Sequence, residues 1–169
     1  MARVFVSIGS NIDRERNILE ANTRLVGDFG HVVFSKVYET EAVGFEGDAF
    51  LNLVACFETD LMPDELNRRL HDLEQEMGRD PDGPSFAPRG IDLDLLLYDD
   101  LVLQGEGFAL PRADIEKYAF VLRPLTDLAP DLVHPTTRRP LSEMLAEMEE
   151  ALGLEPVVSD AHLLPVVHA

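Results

Sequence analysis

The order of hydrophobic patterns along the chain predicts an α+β fold, a sandwich in which helices cover a mainly antiparallel sheet. Short runs of alternating or β-branched residues indicate strands, and longer runs with apolar residues three or four positions apart indicate amphipathic helices. Together they give the order βαββαβ, followed by later additions. The 169 residues, 46% of them hydrophobic, suffice for one domain with its own core.

Each predicted element has a local reason in the sequence. The first helix carries Ile18, Leu25 and Phe29 on one face, and glycines flank its end. Pro63 begins the second helix, and the acidic residues after it complement the helix dipole. The predicted strands are 3–8, 31–43, 50–58, 92–98 and 101–103, the predicted helices are 13–29, 63–77 and 141–152, and 118–122 is either extended or helical.

Composition excludes several classes of function. A formal net charge of -18 argues against nucleic-acid binding, which needs basic patches that neutralise phosphate. No apolar run approaches the roughly 18 residues that span a bilayer, and the alternating N-terminus does not resemble a signal peptide. Cys56, the single cysteine, lies in an apolar run and is expected to be a buried thiol. The sequence therefore predicts a cytoplasmic protein with no membrane or nucleic-acid partner.

An acidic pair stands out on the strand predicted at 92–98. Asp92 and Asp94 share one face, and the apolar residues around them share the other. Two unpaired carboxylates against a buried sheet would repel each other and resist desolvation, and a hard cation such as Mg²⁺ commonly resolves this. A strand with one solvent-exposed face is the alternative interpretation.

The segment before this strand strengthens the cation interpretation. Residues 78–89 are rich in glycine and proline, and arginines at Arg79 and Arg89 lie near its two ends. Guanidinium groups suit phosphate because they present a fixed fork of donors. A loop of this composition leading into an acidic strand favours a site that handles phosphate.

These motifs resemble the 6-hydroxymethyl-7,8-dihydropterin pyrophosphokinase family over about residues 4–145. The most specific part is the run APRGIDLDLL at 87–96. The resemblance implies a ferredoxin-like βαββαβ core in a three-layer sandwich, a catalytic domain over 1–152 and a C-terminal extension of unknown role at 153–169. Shorter runs match in order and spacing, namely SIGSN at 7–11, YET at 38–40 with Gly44, FLN at 50–52, and FVLRPL at 120–125 leading to Ala129-Pro130.

The activity implied by the resemblance is a diphosphate transfer. The β,γ-diphosphate of ATP passes to the hydroxymethyl group of the pterin and AMP is released, as a step of folate biosynthesis. Asp92 and Asp94 would hold two Mg²⁺ ions and, together with Arg79 and Arg89, would form the catalytic set. Only small-molecule substrates are expected as partners, and the assembly is expected to be a monomer or weak homodimer.

The resemblance also implies substrate-binding residues. Phe50 and Phe120 would stack on the flat pterin ring, and Asn52 would read its amino-pyrimidine edge. Without the resemblance, both phenylalanines could be core aromatics and Glu74 an ordinary exposed helix acid. The backbone near Thr40 and Val43 would complete pterin recognition, and the implied ATP-binding residues are Glu74, Arg79, Phe86, Arg89, Ile91 and Arg112.

Departures from the family pattern fall mainly on the ATP side. Pro81 and Ser85 stand where further basic residues are common, Arg112 replaces a typical histidine, and Tyr118 replaces an arginine. Arg112, Lys117 and Arg123 are hypothesised to restore some of the lost positive charge. The leading hypothesis is a working pyrophosphokinase with a modified nucleotide site. The alternatives are a catalytically weak pterin-binding paralogue and a generic acidic interaction module.

Overall fold

An antiparallel sheet is the central layer of the protein. The computed structural model describes residues 1–40, 49–78, 90–105 and 107–153. Among these residues, neighbouring strands follow the order β2-β4-β1-β5, and β3 also pairs with β4, always antiparallel. The five strands are β1 (Ala2–Ser10), β2 (Val32–Phe34), β3 (Tyr38–Thr40), β4 (Phe50–Thr59) and β5 (Asp92–Tyr98).

Helices cover both faces of the sheet, which confirms the predicted sandwich. Apolar side chains of the first two helices pack on one face, and those of the last two pack on the other. None of the helices in the described residues is long and apolar enough to cross a membrane. The helices are α1 (Arg14–Phe29), α2 (Pro63–Gly78), α3 (Asp114–Lys117), α4 (Ala119–Leu128) and α5 (Leu141–Leu152), and a small ribbon pairs β6 (Leu103–Gln104) with β7 (Ala109–Leu110).

The two faces of the sheet carry separate hydrophobic cores. Strand alternation sends Val4, Val6 and Ile8 of β1 into the core under α1 and α2, and sends Phe5 into the core under α4 and α5. Burial of these side chains supplies the main driving force for folding. The sheet is therefore shared between two layers of packing.

A β-bulge interrupts the pairing of β1 with β5. Phe5 lies opposite Leu97 and Val6 lies opposite Leu95, so Leu96 is the extra residue. Leu96 and Leu97 consequently both enter the core under α4 and α5. The carbonyl of Leu96 accepts a hydrogen bond from the backbone N–H of Arg112 at 2.9 Å, which ties the following segment to β5.

The predicted long strand at 31–43 is wrong in one respect, because the chain leaves the sheet between β2 and β3. The Ser35 hydroxyl accepts the Val54 N–H at 2.8 Å, so a side chain replaces the backbone carbonyl of a regular ladder. Positions 41–43 lie outside the described residues.

Other predicted elements match closely or differ at their ends. The strand at 50–58 and the helices at 63–77 and 141–152 are confirmed within one residue. Of the segment 118–122, Tyr118 is extended and the rest is helical, as the start of α4. The short strand predicted at 101–103 begins only at Leu103. Cys56 is half-buried, and burial raises the pKa of its thiol, which disfavours a nucleophilic thiolate.

A polar cluster joins β3 to the helices on the second face. The Tyr38 hydroxyl donates to the Asp127 carboxylate at 2.5 Å. Arg123 lies 5.9 Å from the Tyr38 ring centroid and pairs with Glu149 of α5 at 3.0 Å. Burial raises the pKa of Asp127, and the hydrogen bond from Tyr38 opposes this shift. The cluster fixes the three-residue strand β3, which packing alone would hold weakly.

We expect Asp127→Asn to change the pH dependence of stability. Because the pKa of Asp127 is higher in the folded chain, the folded state holds the proton more tightly, and stability falls as pH rises from the unfolded value, near 3.9, through the folded value. Asparagine keeps an acceptor for Tyr38 and cannot ionise. Chemical denaturation from pH 4 upward should show wild type losing stability relative to the variant as pH rises. Asp131→Asn, which removes an exposed carboxylate, is the control, and parallel curves for wild type and Asp127→Asn would contradict the expectation.

Candidate active site

A cavity of about 510 Å³ opens at one end of the sheet, on the face covered by α4. Its wall is made by the ends of β1, β3, β4 and β5, together with α3 and the first turn of α4. This volume lies in the range of small-molecule sites. The lining residues are Ser7, Ile8, Gly9, Thr40, Phe50, Asn52, Asp92, Asp94, Asp114, Tyr118, Phe120 and Val121.

Three strands place their functional residues in one row across the sheet. Gly9 of β1 lies opposite Asn52 of β4 on one side and opposite Asp92 of β5 on the other. A Cβ at position 9 would lie 3.0 Å from the Asn52 Oδ1, so glycine leaves the room that the amide occupies. Strand register therefore joins an amide and an acid that are 40 residues apart in the sequence.

Asn52 is held in a defined orientation. Its side-chain Nδ2 donates to the Thr40 hydroxyl at 2.9 Å, and the residue is 8% exposed. The Thr40 hydroxyl can accept or donate, so this contact holds the amide in place against β3. An oriented amide in a cavity wall presents a donor and an acceptor to a planar polar ligand.

Aromatic side chains form the wall contributed by α4. Phe120 and Tyr118 stack with ring centroids 4.9 Å apart and an interplanar angle of 21°. Phe120 is 38% exposed and faces the cavity, so its interpretation as a core aromatic is wrong. Phe50 is half-buried and lines the same cavity. Tyr118, noted in the sequence only as a replacement, is part of this aromatic wall.

The acidic pair lies where the strand pattern predicts it. Asp92 is exposed, Asp94 is half-buried, and Leu93 and Leu95, which alternate with them, enter the core under α1 and α2. Burial raises the pKa of Asp94, and Asp114 adds to this shift while Arg112 opposes it. Two carboxylates therefore face the cavity from one strand and favour a neighbouring cation.

Arg112 and Asp114 lie beside this pair. The Arg112 Nε contacts the Asp114 Oδ2 at 3.0 Å, and its Nη2 lies 3.7 Å from the Asp94 Oδ1. Sequence reasoning assigned Arg112 to ATP and missed Asp114, which has no periodic signal in its irregular surroundings. The structure brings both residues to the acidic end of the cavity.

Glu74 of α2 supports the acidic strand from outside the sheet. Its interpretation as an exposed helix acid is wrong, because the residue is 3% exposed. One carboxylate oxygen accepts the Leu93 N–H at 3.3 Å and the other lies 2.6 Å from the His71 Nδ1. Glu74 follows Leu70 by four residues and shares its side of the helix, which is the signal that could have predicted its burial. Burial raises the pKa of Glu74.

Other predicted site residues contribute differently or fall outside the described part. Ile91 is 1% exposed and belongs to the core, so only its backbone is available to a ligand. Four predicted site residues lie outside the described residues, namely Val43, Arg79, Phe86 and Arg89. Pro81 and Ser85 also lie outside them.

The donor set suits a magnesium ion shared with a substrate. In the described parts of the chain, no three His, Cys, Asp or Glu side chains lie close enough to hold a metal by themselves. Two carboxylates leave the remaining coordination positions to water and phosphate oxygens, which is how Mg²⁺ is commonly bound at phosphate-transfer sites. Asp92 and Asp94 fit this requirement.

Comparison with known proteins identifies the family. Residues 5–130 match the family model of 7,8-dihydro-6-hydroxymethylpterin-pyrophosphokinase (HPPK). The chain belongs to the HPPK family. A curated relative from Aquifex aeolicus is 38% identical over 87% of this chain and 92% of its own, and one from Pseudomonas aeruginosa is 36% identical over 85% and 90%. Both are named 2-amino-4-hydroxy-6-hydroxymethyldihydropteridine pyrophosphokinase.

Solved HPPK structures support the fold. An HPPK-DHPS structure with substrates matches 91% of this chain with a TM-score of 0.71 and 13% identity, and the match spans 45% of that chain.

A further sequence relative, the Schizosaccharomyces pombe folic acid synthesis protein fol1, is 41% identical over 85% of this chain and 20% of its own length. The predicted α+β fold and pyrophosphokinase assignment are thus confirmed, and neither comparison favours the weak paralogue.

Substitutions at Glu74 should separate its acceptor role from its charge. We expect Glu74→Ala to destabilise the protein by about 1–3 kcal/mol, because the Leu93 N–H loses its buried partner. Glu74→Gln keeps an acceptor for that N–H and removes a buried charge, so it should stay within about 1 kcal/mol of wild type. Urea unfolding measures both, and equal losses in the two variants would show that the hydrogen bond to Leu93 is not what matters.

Proposed function

We propose that this HPPK family member transfers a diphosphate group from ATP to the hydroxymethyl group of 6-hydroxymethyl-7,8-dihydropterin, releasing AMP in folate biosynthesis. The observation that carries the proposal is the single cavity that joins the Asn52–Thr40 pair, the aromatic wall and the acidic strand. The names of the Aquifex and Pseudomonas relatives support the same substrate and reaction.

The pterin would bind at the amide and aromatic part of the cavity. The Asn52 amide offers paired donor and acceptor groups, which match an amino-pyrimidine edge, and the Thr40 hydroxyl holds that amide in place. Phe120 would stack on the flat ring, with Phe50 on the wall contributed by β4. This arrangement would direct the hydroxymethyl substituent toward the acidic strand.

Asp92 and Asp94 would hold Mg²⁺, and two ions are expected from the family resemblance. When bound, magnesium neutralises charge that spreads over the transferred phosphoryl group and positions the phosphate oxygens. Strand alternation places both carboxylates on one face of β5, and the hydrogen bond from the Leu93 N–H to Glu74 anchors the residue between them. Such positioning lowers the entropic cost of bringing two substrates together.

The ATP phosphates would require local positive charge. The net charge of -18 repels anions at long range, so binding of a polyphosphate depends on nearby cations. Arg112 lies at the acidic end of the cavity, and Arg79 and Arg89 are proposed to act with it on the strength of their family positions. The predicted cytoplasmic location and the monomer or weak dimer stay predictions.

Asp94→Asn should abolish AMP formation. With ATP, Mg²⁺ and hydroxymethyldihydropterin, wild type should form AMP, and the variant should lose at least about 100-fold in kcat, because a neutral amide is a poor magnesium ligand. Asp131→Asn, which removes an exposed carboxylate outside the cavity, should retain wild-type turnover. Release of ADP instead of AMP by wild type would contradict the proposed reaction.

Asn52→Asp should weaken pterin binding selectively. The carboxylate keeps the size of the amide and accepts a hydrogen bond from Thr40, but it lacks the amide donors. We expect a loss of about 10- to 100-fold in affinity for the non-reactive ligand 6-hydroxymethylpterin, measured by calorimetry. Asn67→Asp on α2, outside the cavity, controls for the added charge. Equal affinities in wild type and Asn52→Asp would remove Asn52 from the pterin site.

A further inference from the structure

Arg112 occupies a position between two acids of the cavity. Its guanidinium lies 3.0 Å from Asp114 and 3.7 Å from Asp94, and all three side chains are about one-third exposed. The contact with Asp114 is the shorter of the two and includes a hydrogen bond from the Arg112 Nε. The Arg112 guanidinium thus lies between two carboxylates, and it is farther from Asp94, the proposed metal ligand, than from Asp114.

The main chain fixes Arg112 near this position. Its N–H donates to the Leu96 carbonyl, which belongs to the extra residue of the β-bulge in β5. Asp114 begins α3, and the Ile115 N–H donates back to the Arg112 carbonyl at 3.2 Å. Because its backbone is anchored, Arg112 gains or loses contact with Asp94 chiefly through its side-chain torsions.

We propose that Arg112 is an internal competitor for the metal-binding oxygens of Asp94, and that Asp114 weakens this competition by holding the guanidinium. The inference rests on the proposed function, in which Asp92 and Asp94 bind magnesium. It assigns Arg112 and Asp114 as positioning residues that tune the metal affinity of this chain.

The reason is electrostatic. A guanidinium within 4 Å of a carboxylate stabilises its negative charge and repels a divalent cation at the same oxygens. A cation that binds Asp94 must therefore displace Arg112 or act against its charge. A displaced Arg112 has Asp114 as its remaining partner, and its free donors lie at the end of the cavity where the ATP phosphates are proposed to bind.

The two residues should affect metal binding in opposite directions. Arg112→Ala removes the competitor and should tighten binding of Mn²⁺, used as a probe for Mg²⁺, by about tenfold at low salt. Asp114→Asn releases Arg112 toward Asp94 and should weaken Mn²⁺ binding by a similar factor. Arg112→Lys keeps the charge and should stay within about twofold of wild type.

Titration of the full chain with Mn²⁺, without nucleotide, tests this by electron paramagnetic resonance of the free ion. Arg139→Ala is the matched control, because Arg139 pairs with Glu143 and Glu147 and does not line the active-site cavity. In the Arg112→Ala background, Asp114→Asn should have a smaller effect than in wild type. Thermal unfolding confirms that each variant is folded.

Steady-state kinetics supply a second readout. Arg112→Ala should raise the KM for ATP severalfold and at the same time tighten Mn²⁺ binding. A generally damaged site would instead raise the KM for ATP and weaken Mn²⁺ binding.

The outcomes separate this inference from the proposed function. Mn²⁺ binding that requires Asp94 but is unchanged or weakened by Arg112→Ala overturns the competition alone. Binding that is absent, or insensitive to Asp94→Asn, overturns the metal site and the inference together. An unchanged KM for ATP in Arg112→Ala overturns the role of Arg112 at the phosphates.

Discussion

The pairing of β1 with β4 and β5 is the constraint on which the rest of the structure depends. It places Gly9 between Asn52 and Asp92, so the proposed pterin and metal ends of the cavity share a single backbone ladder. Backbone hydrogen bonds and two hydrophobic cores hold that ladder rigid. The distance between Asn52 and Asp92 across the cavity is consequently set by the spacing of the strands.

Charge is the second constraint, because the protein is strongly acidic and its site is acidic as well. Asp92, Asp94 and Asp114 line one end of the cavity, and Arg112 contacts Asp94 and Asp114 there. Such a site favours divalent cations and disfavours free polyphosphate. A nucleotide that arrives already bound to magnesium brings less net negative charge, which suits this electrostatic environment.

Periodicity predicted much of this fold, because α1, α2 and α5 each bury one regular face, and the apolar runs of β1 and β4 indicated strands that lie between two cores. The family motif also pointed to Asp92, Asp94, Phe50 and Asn52, and the register of β4 and β5 against β1 brings these residues to one cavity. The break at Ser35 was missed because it depends on a hydrogen bond to a distant strand. The burial of Glu74 agrees with its spacing from Leu70, but its hydrogen bond to Leu93 could not be predicted from local pattern. The contact of Arg112 with Asp94 likewise depends on the bulge at Leu96, which no local pattern in the sequence marks.

The separation of the two cores has a consequence for how this protein tolerates mutation. Apart from Ile8, the side chains of the core under α1 and α2 do not line the cavity, whereas Val121 of the core beneath α4 does. Most substitutions in the cavity wall therefore leave the packing under α1 and α2 intact. Substitutions of the partly exposed Arg112 and Tyr118 should therefore cost little stability, and the same robustness makes the cavity wall a favourable place for engineering altered substrate preference.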